Sequence, residues 1–162
     1  MLPLFVCLNF WSCSNGQKDE SPNKALIDSL AQEGDMVLKC GHGQISRLII
    51  KTLDEEIDIS HSAILFKDSN EFGLLHSVSG SLEESDGVQN ISLKKFLTDV
   101  KKGTFFILRP QINSTKTQVV LRKALTKLKQ DIPFDHAFNN ADSTELYCSE
   151  FIQFIFEEGA GI

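Results

Sequence analysis

Apolar positions along this chain recur with two periods, and the switches between them mark the elements. Lys24 to Gln32 carries helical spacing, with Ser21 as a cap, Pro22 in the first turn and Gly34 just past the end. Asp35 to Lys39 reads as a short strand, and the turn Cys40-Gly41-His42-Gly43 leads into a helix over 44–53 with Ile45, Leu48 and Ile49 on one face. The acidic run Asp54 to Asp58 is a solvated loop. Two strands, 60–66 and 72–78, flank the turn-forming Lys67-Asp68-Ser69-Asn70. A short strand at 87–91, a helix opening at Ser92 and a buried strand within 103–109, stopped by Pro110, follow. The longest helical pattern is 114–130, with Val119, Leu121, Ala124, Leu125 and Leu128 clustered. An aromatic loop, 132–138, and cap residues in 139–144 precede a final helix over 147–158. Helices and antiparallel strands mixed in this way predict an α+β fold.

The hairpin has a consequence for chemistry. With Asp68-Ser69 as its tight loop, Leu65 opposes Phe72, Ala63 opposes Leu74 and His61 opposes His76. Both imidazoles then share one face, with Cβ atoms roughly 5 Å apart. Ala63, Leu65, Phe72, Leu74 and Val78 lie on that face too, which makes it the buried one. Two histidines turned into a core need polar partners.

Composition narrows the picture. The 162 residues suffice for one domain and are short for two. An apolar share of 41% with 23% charged residues argues against disorder. A net charge of −6 and the lack of a basic stripe speak against nucleic-acid binding. The chain is read as a monomer. Residues 1–13 are apolar but too short to span a bilayer, and a polar stretch, Ser14 to Glu20, follows. Ser12-Cys13 between the two has the look of a bacterial lipoprotein processing site, with Cys13 as the lipidated residue; a cleaved secretory signal and a buried N-terminus are the alternatives. The expected organisation is therefore an export and tether segment, 1–20, and a domain, 21–162, held by a lipid anchor at a bacterial cell envelope.

That assignment leaves Cys40 and Cys148 in the domain. They are too few for a disulfide framework, although one bridge between them stays open. Cys148 shares a face of the last helix with Phe151, Ile152 and Ile155. With Ser143 or Thr144 as cap, it falls in the first turns, where the helix dipole favours a thiolate. One of the two imidazoles would take the thiol proton while the other orients it. A buried structural cysteine and a satisfied core histidine are the competing readings. Zinc is a rival use of the same side chains, but Cys40-x-His42 is the one paired spacing present, so neither metal nor cofactor is expected. The chain has no P-loop, dinucleotide fingerprint or Gly-x-Ser-x-Gly elbow.

Four segments carry a resemblance: Gly34-Asp35-Met36-Val37 with Ile45-Ser46-Arg47, Ser60-His61-Ser62-Ala63-Ile64, Pro133-Phe134-Asp135, and Tyr147-Cys148-Ser149-Glu150. In order and spacing they resemble the YiiX/YaeF-like group, NlpC-type papain-like enzymes in circularly permuted order. The resemblance runs from about Gly34 to the C-terminus. It implies a small antiparallel sheet packed with helices, Cys148 as nucleophile, His61 as base and His76 as the third, orienting group. It also implies an amidase or peptidase acting on envelope peptides or lipid-linked amides, with Phe134 and Tyr147 at a substrate pocket. A thioesterase or acyltransferase on lipid acyl groups, and a non-catalytic ligand-binding lipoprotein, are the alternatives. Where family members often carry a tyrosine in the Pro-x-Asp segment, this chain has Phe134. The resemblance would also lead one to expect a segment beyond Ile162.

Overall fold

A computed structural model describes residues 24–69, 71–82, 85–139 and 142–162, together with the backbone of 6–9. Cys13 and the capping residues 21–23 lie outside the described residues. In chain order the elements are β1 (Val6–Asn9), α1 (Lys24–Leu30), β2 (Met36–Lys39), α2 (Gln44–Leu53), β3 (His61–Asp68), β4 (Glu71–Val78), β5 (Gly87–Ser92), α3 (Leu93–Phe96), β6 (Phe105–Arg109), α4 (Ser114–Lys129) and α5 (Cys148–Ala160). The strands form one sheet in the order β1-β6-β2-β3-β4-β5, antiparallel throughout. Val6–Asn9, inside the segment read as an export leader, runs beside β6 as the edge strand.

The helices form where local chemistry permits. Asn113 caps α4 by accepting from the Lys116 N–H at 3.0 Å, and Ser92 caps α3 by accepting from the Lys95 N–H at 3.2 Å. The central strands are apolar on both sides, so the sheet is covered on both. On one face Ala63, Leu65 and Leu74 pack with Ile27 of α1 and Leu93 and Phe96 of α3. On the other, Ile64, Phe66 and Leu75 pack with Val120, Leu121 and Ala124 of α4 and with Phe151, Ile152 and Ile155 of α5. The expectation of a single buried face is thereby corrected: 63–66 is a continuous apolar run, the mark of a strand covered twice.

The hairpin register is also corrected. Leu65 pairs with Leu74 and the ladder runs on to Asp68 with Glu71, so Asp68 is paired rather than part of the loop. Ser69 has φ +60°, the left-handed conformation that two-residue hairpin loops require. Counted along this ladder, His76 lies opposite Ala63 and is a diagonal neighbour of His61, not its direct partner. The slip is two residues, and an even slip leaves every side chain on its predicted face.

Two tight spots fix the layers. Gly159 of α5 crosses α4 so closely that a Cβ there would sit 2.7 Å from the Val120 Cα. Asp35, 1% exposed, accepts from Arg109 Nε at 2.9 Å and from Arg109 Nη2 at 2.8 Å. The same guanidinium donates to the Leu30 carbonyl at 2.7 Å, tying α1, β2 and β6 into one corner. The aspartate of the Gly34-Asp35 segment is thus structural.

Candidate active site

Cys148 is the first residue of α5, and Tyr147 is its N-cap. This corrects the expectation of a cap at Ser143 or Thr144. The Glu150 carboxylate, in the first turn of α5, accepts from the Tyr147 N–H at 3.3 Å. The loop leading into α5 is held from three sides. Ser77 Oγ donates to the Leu146 carbonyl, the Leu146 N–H donates to Pro133 O at 3.0 Å, and Lys127 Nζ donates to Ser143 O at 2.9 Å. The side chain of Cys148 is therefore carried to the β3 and β4 side of α5, half-buried.

Its sulfur rests against Ser62, which meets it with both backbone and hydroxyl, while the N–H groups of Cys148 and Ser149 also face it. Burial nevertheless dominates and pushes the thiol above its ordinary value, with the Ser62 and helix-start donors opposing. The expectation that the helix start alone makes an acidic thiol is corrected: loss of solvation outweighs the few dipoles offered. Ser62 Oγ itself is fully buried and has no conventional hydrogen-bond partner. Cys40, the other thiol of the domain, is buried beside Ser60, and both thiols are free.

The two imidazoles do meet. His61 Nε2 and His76 Nδ1 are 2.7 Å apart, with ring centroids at 5.0 Å in an edge-on arrangement. They share their face with Phe96, whose ring centroid lies 5.8 Å from that of His61, and with Lys39, whose Nζ stands 4.2 Å above Phe96. Lys39 is the cross-strand partner of His61. Burial, followed by the charge of Lys39, holds His76 down to about 3. Burial, then His76, then Lys39 hold His61 well below its ordinary value. Both rings are neutral at physiological pH, so one nitrogen of the 2.7 Å contact donates and the other accepts. His76 Nε2 is buried without a partner.

The nucleophile and base candidates therefore approach the start of β3 from two sides. His61 opens the strand, and the next residue, Ser62, is what the thiol touches. No hydrogen bond joins thiol and imidazole among the described residues, and β3 itself lies between the imidazole face and the thiol face.

Phe134 and Tyr147, the two pocket candidates, are linked through Phe138, which sequence reasoning missed. The Phe134 and Phe138 ring centroids are 5.9 Å apart, and those of Phe138 and Tyr147 are 5.4 Å apart. Phe138 is 59% exposed, so an apolar surface stands open beside the helix start that carries Cys148. Two aspartates shape this loop. Asp135 accepts from the Ala137 N–H at 2.7 Å and the Asn139 N–H at 2.5 Å. Asp86 accepts from the N–H groups of Gly80 (2.7 Å) and Phe134 (3.1 Å), which lower its carboxyl below the usual range. The left-handed Gly87 lets β5 run under the loop, since a Cβ would fall 2.2 Å from Ile132 O.

A solved structure from Escherichia coli O157:H7, described as the metalloprotein yiiX, is similar to this chain at a TM-score of 0.67. Identity is 21%, over 81% of this chain and 67% of that one, a likeness of fold. Among the described residues here, no three His, Cys, Asp or Glu side chains gather as a metal-binding group, and the two imidazoles engage each other. These residues do not fit a metal. Residues 30–162 match the family described as permuted papain-like amidase enzymes, YaeF/YiiX, and the chain belongs to that family.

Proposed function

We propose that the protein is a cysteine amidase in which Cys148 attacks an amide carbonyl and His61 moves the proton. The observation that carries this reading is a thiol at the first position of α5, docked on the residue next to a neutral imidazole whose far side is already held. His61 Nε2 is engaged by His76, which leaves Nδ1 as the nitrogen to move the proton, and this requires the ring to reach round the start of β3 from the Phe96 side. A neutral His61 can accept the thiol proton and return it to the leaving amine; water then releases the acid. His76 keeps the ring orientated. The Cys148 N–H, at the helix start, is the oxyanion donor. The substrate class inferred is an envelope peptide or a lipid-linked amide, met at a bacterial cell envelope where the N-terminal segment anchors the enzyme through Cys13.

The exposed Phe134–Phe138–Tyr147 surface favours a second reading, thioester or ester hydrolysis and acyl transfer on lipid acyl chains, because such chains need an apolar wall. Purified protein is assayed against matched acyl amides and acyl thioesters. Turnover that vanishes in Cys148→Ser, falls at least about a hundredfold in His61→Gln, and rises with pH into the alkaline range is expected. Turnover undiminished in Cys148→Ser overturns the assignment; preference for the thioester selects the second reading.

A further inference from the structure

We propose that Ser62 is a positioning residue for the nucleophile, donating its hydroxyl and backbone N–H to the Cys148 sulfur once that sulfur is ionised. The inference rests on the reading above only in taking Cys148 as the nucleophile.

A helix start alone is a weak thiolate site here, since burial prevails over it. Ser62 is 6% exposed, lies on the face of β3 that packs against α5, and has a buried hydroxyl with no other partner. A buried hydroxyl with nothing to bond forfeits free energy unless its neighbour accepts. The neighbour is Cys148, whose neutral thiol is a poor acceptor and whose thiolate is a strong one. The same hydrogen bond is thus weak before ionisation and strong after it, which lowers the cost of losing the proton. Alternation along the strand supplies the geometry: His61 turns towards Phe96, and Ser62 turns towards α5. One dipeptide thereby serves both the base and the nucleophile from opposite faces.

The titratable groups around the sulfur are few. Glu150 sits in the same helical turn, with Asp135 and Asp142 in the loop before it. His61 and His76, with Lys39, lie behind β3. On α4, Lys127 is committed to Ser143 and Lys123 to Glu158.

The test is the pH dependence of carboxamidomethylation at Cys148, in which sulfur displaces iodide from iodoacetamide, followed by peptide-resolved mass spectrometry. Ser62→Thr keeps a hydroxyl, whereas Ser62→Val is its near-isostere without one. The threonine variant is expected to keep the wild-type midpoint. The valine variant should shift it upward by about one unit, a tenfold slower reaction at any pH below the midpoint. Equal midpoints in the two variants overturn the proposal. Should either branched side chain prevent folding, Ser62→Ala adds no volume and is read the same way, with an unchanged midpoint as the refuting result. Alkylation is independent of turnover: a shifted midpoint in a protein that hydrolyses nothing overturns the amidase reading alone. An unshifted midpoint in an active enzyme overturns the role of Ser62 alone.

Discussion

Acidification from pH 8 to pH 5 probes the imidazole pair directly. In the unfolded chain both rings titrate near 6.5. In the folded protein His76 is held down to about 3 by burial and by Lys39, and His61 also lies well below 6.5. Below pH 6.5 the unfolded chain therefore binds protons that the folded one refuses. The stability conferred by the neutral pair is complete above 6.5 and drains away as pH falls towards 3. Each unit is worth about 1.4 kcal/mol, so at pH 5 the loss from His76 alone is about 2 kcal/mol. Urea unfolding followed by circular dichroism, at constant ionic strength, gives this difference for wild type and for the His61→Gln/His76→Gln protein. Glutamine is neutral at both pH values, so the doubly substituted protein should lose about 2 kcal/mol less. An equal loss in the two would refute the account of the pair as a buried neutral contact.

Two further outcomes follow from the packing. Arg109→Met strands the buried Asp35 carboxylate and should cost about 3 kcal/mol in urea unfolding at pH 7; a change below about 0.5 kcal/mol would contradict this. Gly159→Ala pushes a methyl into the Val120 backbone at the α4–α5 crossing and should destabilise by about 1–3 kcal/mol; a melting temperature equal to wild type would show that the helices can part freely.

The helix at Gln44–Leu53 and the extent of the other helices were legible because apolar spacing, caps and Gly34 mark them locally. Cys148 at the start of the final helix was legible from apolar spacing, although its cap, Tyr147, was not. His61 and His76 were brought together by parity along two strands, which survives a register error of two. The register itself was not legible, because Lys67 to Asn70 is turn-like throughout and the left-handed residue within it is fixed only as the hairpin closes. The Phe138 platform escaped notice because its loop is shaped by Asp86, about fifty residues earlier.

Sequence by itself determined the α+β composition, the hairpin carrying both imidazoles, the helix carrying the thiol and the family resemblance, since each depends on residue type and short spacing. Tertiary structure alone decided the balance at the sulfur. A helix start favours the thiolate and is visible locally; desolvation opposes it and depends on what packs above. Ser62 belongs to the same category. Its hydroxyl acquires a role only when α5, more than eighty residues later in the chain, is laid across β3, because burial is a property of the assembled layers and not of the segment.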